Sequence, residues 1–535
     1  MERKIMTIGL FRNINFYWEN LTQNSIFFSN IFTTLFFLIG LPAILHHAMW
    51  RDELNVWLIV RDSQSLFELF HNIHYEGHPF VWYICLAILK QITNNPVIMQ
   101  IFHLCLATSS VYLFTRYSPF NYSQKLLFCL GYIPFYEYLL ISRNYAIGLL
   151  LCFLFCIIYP KRKQSYLKLS IVLLLIANSN AYCLMLAIAF SITLSLEYIF
   201  QKSLHQNLLA KKHDIILSSL IVLTGIIISL IQLIPPQDSK LAGGLSGVIL
   251  NFDFKRLTTT LVRLWNSYII ILVPGESQQL SLILFSILSI VFFGFFTISF
   301  VRKPLILFLY TFGTIEILVF TYVKFLGSPR HYGHLYILLV VCLWLASYYS
   351  QTSLFLQLFP RKLKTYIIQV IKWTKPYYLS VIMLILYVQM AGGIFAFGRD
   401  MIIPFSSSKE ASAYIKEKYK YQLNDMFIVG SRDYTMSPIS GYINRKIYYP
   451  EIQKISSFVL FTTQRKEVDQ MEILSQVSQI SKKQLKPILL ILNKPLEINH
   501  PDLKIDPIKE FKKGFNYDER YYLYFITQKS TSSGI

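Results

Sequence analysis

The 535-residue sequence predicts a polytopic α-helical membrane protein with a small α/β domain at its carboxy terminus. Three observations predict it. The chain is 54% hydrophobic and only 15% charged, with a mean hydropathy of +0.45, too apolar for one water-soluble core. Segments 26–45, 215–234, 280–300, 305–323 and 378–397 supply the apolar runs of roughly 20 residues that a hydrocarbon layer about 30 Å thick demands of a helix. The net charge of +21 gathers in short clusters between such segments: Lys161-Arg162-Lys163, Lys211-Lys212, Arg302-Lys303 and the stretch from Arg361 to Lys375. That is the positive-inside pattern, and it marks those loops as cytoplasmic. After residue 398 the composition turns polar and mixed in charge. Zinc-type cysteine spacings and arginine-rich arms are absent from the sequence, so no nucleic-acid partner is expected.

The elements follow in order. Arg3, Lys4 and Arg12 precede an apolar run longer than a signal-peptide core and without a small-residue cleavage site. It is expected to be a retained first span with a cytoplasmic amino terminus. That span delivers residues 47–78 to the outer face. Ser65 to Glu68 has the pattern of a capping box, with Leu66, Phe67, Leu69, Phe70 and Ile73 as the apolar stripe of a helix lying in the interface. Glu68 is thus expected to be a cap and His71 a polar-face residue. Apolar segments 79–93, 97–115, 125–141 and 144–159 come next, then 166–181 and 183–200 as a tight pair around Asn178-Ser179-Asn180. Were every segment between 79 and 159 to cross, Lys161–Lys163 would fall outside. If one of them fails to span, all basic clusters fall inside, with about eleven crossings. The loops 47–78, 178–182, 236–276 and 324–331 then face outward, as does the carboxy-terminal region.

The chain therefore divides into a membrane module, 1–398, and an extracytoplasmic domain, 399–535. In the latter, KEASAYIKEKY reads as a helix, and DMFIVG, SSFVLFTT, PILLILN and YYLYFITQ as strands. The seven cysteines all lie in apolar segments, where packing explains them better than metal or disulfide. His46 and His47 are expected at the interface, and Glu197 as a solvated residue near an inner helix end. Glu316 sits mid-span with no assigned role, although ionisable groups there are costly and often functional. Arg432-Asp433-Tyr434 reads as a surface turn that could touch an acceptor.

Chemistry concentrates in residues 50–83. Asp52 and Glu53 follow the first span, and either carboxylate could act as general base or bind a divalent cation. The bland alternative is a solvated loop start paired with Arg51. Tyr75-Glu76-Gly77-His78-Pro79 sets a second carboxylate against the next apolar segment. Pro79 suits a first helical turn, and Gly77 permits a turn that points Glu76 and His78 over the bundle mouth.

These motifs resemble the first outer loop of the C-type membrane glycosyltransferases. More narrowly they are similar to the protein O-mannosyltransferase and lipid A aminoarabinose transferase group, which carries Asp-Glu after span one and His-Pro-Pro or Glu-Lys-Pro at span two. Here Asp52-Glu53 and Glu76-Gly77-His78-Pro79 match, with Phe80 in place of the second proline. The resemblance continues in Ser142-Arg143-Asn144-Tyr145-Ala146, in Asn180-Ala181-Tyr182, and in Gly327-Ser328-Pro329-Arg330-His331-Tyr332. It implies the C-type fold and transfer of a hexose or pentose from a polyprenyl phosphate to a lipid, glycan or protein acceptor, at the outer face of the cell (inner) membrane. Under it Asp52, by preference, or Glu53 would deprotonate the acceptor, and Glu76 would position the acceptor or a metal. His78 and Tyr182 would support the substrate. Arg330 and Arg143, with His331 beside them, would hold the phosphate through charge and the planar guanidinium fork. No diagnostic metal motif exists, and a divalent cation on Asp52 and Glu76 is the one candidate cofactor. A transporter or flippase of lipid-linked sugars is the alternative of another class. The lack of a sequence repeat and the gathering of ionisable residues at one face favour the enzyme. A surface-polysaccharide polymerase or ligase is a third reading, disfavoured because the acidic cluster lies early in the chain.

Overall fold

The computed structural model describes residues 25–201, 209–240, 248–249, 251–275, 278–484 and 486–529; the amino-terminal residues, whose cytoplasmic placement was expected, lie outside them. Eight helices among the described residues are long and apolar enough to cross a membrane. The apolar segments carry no polar face, so nearly uniform hydrophobicity, not an amphipathic stripe, defines them.

The chain enters through α1 (Ser25–His46) and then forms α2 (Arg51–Asp62), a helix where the sequence suggested a loop. Its start is capped by Glu53, whose carboxylate accepts from the Trp50 backbone N–H at 3.2 Å. Helix α3 (Leu66–Ile73) begins as expected: the Ser65 hydroxyl accepts from Glu68 N–H at 3.1 Å. Leu66 and Phe67 are exposed, whereas Leu69 and Ile73 are buried, which makes α3 an interfacial helix. Helix α4 (Val81–Lys90) is too short to span. At ten residues it is about 15 Å long, half of what a crossing needs. Its ends stay on one side: Val81 N–H bonds to Asn178, and Lys90 Nζ reaches the Ser63 carbonyl at 3.4 Å.

Helix α5 (Val97–Tyr117) returns alongside α1, with Gln100 Nε2 on the Ile44 carbonyl at 2.5 Å. The expected helix over 125–141 is broken. Helix α6 (Tyr122–Cys129) stops at Gly131, and a π-helical turn follows over Tyr132–Glu137. A last-span glycine explains how the break is covered, because a Cβ on Gly393 would sit 2.4 Å from the Leu130 carbonyl oxygen. Helices α7 (Tyr145–Ile158), α8 (Leu167–Ala177), α9 (Ala181–Ile199) and α10 (Lys212–Leu233) follow. The stretch expected to be a polar loop contains α11 (Phe254–Tyr268), an amphipathic helix whose Arg263 Nε bonds to the Leu326 carbonyl at 3.0 Å. Helices α12 (Gln279–Phe300), α13 (Pro304–Val323), α14 (Pro329–Ala346), α15 (Arg361–Thr374) and α16 (Tyr378–Ile402) complete the bundle. Eight spans among the described residues, with α15 and α16 counted as one, meet the length and apolarity of a crossing, against the roughly eleven expected; α8, at 11 residues, and the broken 122–141 stretch do not.

The carboxy-terminal region folds into a six-stranded sheet, order β3-β2-β1-β4-β6-β5, from β1 (Phe427–Gly430), β2 (Ile447–Tyr449), β3 (Lys454–Ser456), β4 (Ile488–Leu492), β5 (Leu503–Phe511) and β6 (Tyr521–Gln528). β1 pairs in parallel with β2 and β4; the other pairings are antiparallel. Three of the four expected strands form. SSFVLFTT does so only at its first residue, since its remainder leaves the sheet to meet α2. Helices α17 (Ser408–Lys418), α18 (Ser437–Ile443) and α19 (Gln470–Gln484) flank the sheet.

This domain grips α2 directly. Asn55 Nδ2 donates to the Val459 carbonyl at 3.1 Å, and its Oδ1 accepts from Val459 N–H and Ser437 Oγ at 2.9 Å each. The Tyr442 hydroxyl accepts from Met49 N–H at 2.8 Å, and Leu54 packs 3.1 Å from the Cβ position of Gly441. The result is a short helix, almost wholly buried, clamped between the bundle and the sheet.

Candidate functional site

One cavity of about 1010 Å3 lies between the bundle mouth and the α/β domain. Asp52, Glu76, His78, Arg143, Tyr182, Arg330 and His331 all line it. They arrive from five places in the chain: α2, the turn before α4, the turn before α7, α9 and α14.

Asp52 stands in the first turn of α2 and accepts from Arg330 Nη2 at 2.8 Å. Arg330 lies over the Trp50 ring, 5.1 Å from its centroid, and its Nε is buried without a hydrogen-bond partner. Arg143 Nη1 donates to the Asp52 backbone carbonyl, and Arg143 Nη2 donates to His78 Nε2 at 2.8 Å. A guanidinium cannot accept, so His78 uses the lone pair of Nε2 and carries its proton on Nδ1. That Nδ1 is buried and has no partner. Burial, with Arg143 and Arg330 pushing the same way, holds the imidazole well below its usual range, so it is neutral.

Gly77 has φ +67°, the left-handed conformation that lets the chain reverse between two side chains facing one cavity. Glu76 Oε1 accepts from Asn55 Nδ2 at 2.9 Å. Burial pushes its carboxyl up to about 7, and the nearby Asp52 adds to the rise while Arg143 and the Asn55 bond oppose it. Opposite, Ser328 caps α14 and its N–H donates to His331 Nδ1 at 2.9 Å. Gly327, at φ +71°, makes that turn possible and lies close to the Tyr182 hydroxyl. Tyr182 stacks on His334, centroids 5.1 Å apart, and meets His331 at a tilt at 5.5 Å.

Glu53 is a correction. Its side chain does not reach the cavity: it is fully buried and accepts from the Ser142 N–H at 2.6 Å, besides capping α2. His47, expected at the interface, is buried between Glu53 Oε2 at 3.1 Å and Asp400 Oδ2 at 2.9 Å. Burial disfavours its charge, but the two carboxylates outweigh that and raise it to about 10. The trio ties α1, α2, the turn before α7 and α16 together. Adjacent carboxylates on a helix point about 100° apart, so only one of Asp52 and Glu53 could face the cavity.

Other expectations shift too. Glu197 is not solvated; it is fully buried and paired with Arg162 at 2.6 and 2.8 Å. Arg432-Asp433-Tyr434 is more than a surface turn, since Asp433 is buried against Arg465 and Tyr434 lines the cavity. Asp52 and Glu76 do not form a cation site as they stand, one being engaged by Arg330 and the other by Asn55. Among the described residues no group of three or more His, Cys, Asp and Glu side chains is arranged to hold a metal.

Sequence reasoning missed Asn55, which joins Glu76 to the domain, and Trp50, which carries Arg330. Neither had a signal beyond its place beside the acidic pair. Beyond the polar residues the cavity continues as an apolar limb, lined by Met185 and Ile188 of α9, Leu230 and Leu233 of α10, and Val319 and Phe320 of α13.

No protein-family model matches the chain, and no curated protein matches it. Among solved structures, the chain is similar to the crystal structure of ArnT from Cupriavidus metallidurans bound to undecaprenyl phosphate. The identity is 12% and the TM-score 0.44, over 92% of this chain and 98% of that one.

Proposed function

We propose that the protein is a membrane glycosyltransferase that moves a sugar from a polyprenyl phosphate to an acceptor hydroxyl on the outer face of the membrane. The observation that carries the reading is the shape of the cavity: a polar mouth where Arg143 and Arg330 stand beside Asp52 and Glu76, opening into an apolar limb. An amphiphile with an anionic head and a hydrocarbon tail is complementary to it. The basic clusters support the orientation: Lys211-Lys212 and Arg302-Lys303 stand at the start of helices whose far ends, at Leu233 and Val323, line the cavity. Residues 399–535 are then an extracytoplasmic domain and the first loop holds the chemistry.

Asp52 acts as the base. Arg330 occupies its Oδ2 at 2.8 Å, leaving Oδ1, with Arg51 Nε at a looser 3.8 Å, to take the proton from the acceptor hydroxyl. The acceptor oxygen attacks the anomeric carbon, the bond from that carbon to the phosphate oxygen breaks, and its electron pair leaves on polyprenyl phosphate with inversion. The unpartnered Nε of Arg330 and the Arg143 guanidinium stabilise that phosphate. Neutral His78 offers its Nδ1–H to the substrate and holds Arg143 in place. Glu76 positions the acceptor.

The test is transfer from labelled undecaprenyl-phosphate sugars to a membrane lipid and glycan extract, with wild type, Asp52→Asn and Arg330→Met at matched folded yield. Transfer by wild type and a loss of roughly a hundredfold or more in both variants is expected. Movement of labelled lipid between leaflets without transfer would replace this reading with that of a flippase.

A further inference from the structure

Within the apolar limb, the charged residue that the mechanism leaves unused is Glu316. It lies in α13, seven residues from the end of that helix at Val323, and thus roughly 10 Å deeper in the hydrocarbon than the helix ends that frame the site. It lines the cavity beside Val319 and Phe320, facing Met185 and Leu230. Its Oε2 is buried and finds no hydrogen-bond partner among the described residues. A carboxyl group within a span is costly, and one left unsatisfied costs more, so the group needs a partner that the protein does not supply.

The limb is also open sideways. Val319 lines it, yet shares the exposed stripe of α13 with Ile315 four residues earlier, at 55% and 51% exposure. Leu230, across the gap on α10, is likewise half-exposed. A lipid can therefore slide in between α10 and α13 with its chains leading.

The geometry points to Glu316 as a hydrogen-bonding subsite for a second lipid, one whose ester, amide or hydroxyl linkage groups lie below its head. This rests on the transferase reading and deepens it. The tail of a polyprenyl phosphate carries no polar atom beneath its phosphate, so the donor offers Glu316 nothing. A lipid whose chains are joined through a polar linkage places oxygen or nitrogen atoms at the required depth. The acceptor, on this account, reaches the site from within the bilayer.

The experiment measures binding of undecaprenyl phosphate and of a long-chain diacylglycerol to the full-length protein in nanodiscs. Wild type, Glu316→Gln and Glu316→Leu are compared. Glu316→Leu is expected to weaken diacylglycerol binding roughly three- to tenfold, one hydrogen bond's worth. Glu316→Gln, which can still hydrogen-bond, stays near wild type, and undecaprenyl phosphate binding is unchanged in both. Diacylglycerol binding that ignores Glu316→Leu, or is absent in wild type, overturns the inference. So does a loss that falls on undecaprenyl phosphate instead. If wild type fails to bind undecaprenyl phosphate while the Glu316-dependent diacylglycerol site persists, the transferase reading falls and the lipid subsite stands. Should Glu316→Leu not fold, wild type is compared on diacylglycerol and on an all-hydrocarbon analogue of equal length. Tighter diacylglycerol binding is expected, and equal binding overturns the proposal.

Discussion

Two arginine–carboxylate pairs stand at opposite faces of the bundle, and their difference separates structure from chemistry. Arg162 and Glu197 are closed off. The guanidinium gives Nε and Nη2 to the carboxylate and Nη1 to the Tyr159 carbonyl, and lies over the rings of Tyr159 and Tyr349 at 4.1 and 5.1 Å. Exposure is 1% for the arginine and nil for the glutamate. Arg330 and Asp52 make one good contact, keep 15% and 27% exposure, and leave Arg330 Nε unpartnered at a cavity wall. A closed pair with every guanidinium nitrogen hydrogen-bonded and both groups buried is out of a ligand's reach. An open, under-satisfied pair is within it, because an incoming phosphate completes its hydrogen bonding instead of competing with it.

The sharpest way to break this comparison is to remove each arginine. Arg330→Met should leave a folded protein that has lost transfer. Arg162→Met should strand a buried glutamate, costing about 3–5 kcal/mol, and show as lost folded yield and a lower Tm. The double variant Arg162→Met/Glu197→Leu should recover most of that stability, since replacing a whole buried pair by apolar residues is often near neutral. Activity per folded molecule should survive in it. If Arg162→Met folds normally but is inactive, the division into a structural and a chemical pair is wrong.

A smaller effect should separate Glu76 from its neighbours. Its carboxyl is raised from an ordinary value near 4.5 to about 7, so the folded protein holds a proton there that the unfolded chain has released. Between those values the folded state binds more protons, and stability falls as pH rises. Wild-type Tm should therefore decline over that window by more than in Glu76→Gln, and kcat/KM should lose its inflection near 7 in the variant. Identical Tm profiles for the two proteins would show that Glu76 is not perturbed.

A second pH effect belongs to the His47 trio. A histidine raised to about 10 contributes stability that is complete below about 6.5 and is lost as pH climbs toward 10. Tm measured from pH 7 to 10 should fall in wild type and fall less in His47→Gln, which starts lower. A steeper fall in the variant would contradict the assignment of charge to His47.

Much of the site was legible because its residue types are unusual for their surroundings. Asp52, Glu76, His78, Arg143 and Arg330 are polar groups at the ends of apolar segments, and all five line one cavity. Glu53 was misjudged for the same reason: composition marks an acidic pair but does not say which member turns inward. Glu197 looked solvated because its partner Arg162 is 35 residues away. Helix α4 and the broken segment before Glu137 had the apolarity of spans, but a short helix and a glycine break decide crossing through geometry that hydropathy does not contain.

By itself the sequence determined the apolar spans, the gathering of basic residues between them, and the set of residues able to do chemistry. Those follow from local properties, namely the transfer free energy of a run of side chains and the cost of placing charge within it. Only the tertiary structure decided which carboxylate faces the cavity, which arginine keeps a nitrogen without a partner, and that the α/β domain clamps α2 over the cavity. Each of those depends on contacts between residues tens to hundreds of positions apart, where burial and hydrogen-bond satisfaction are properties of the assembled surface and not of any one segment.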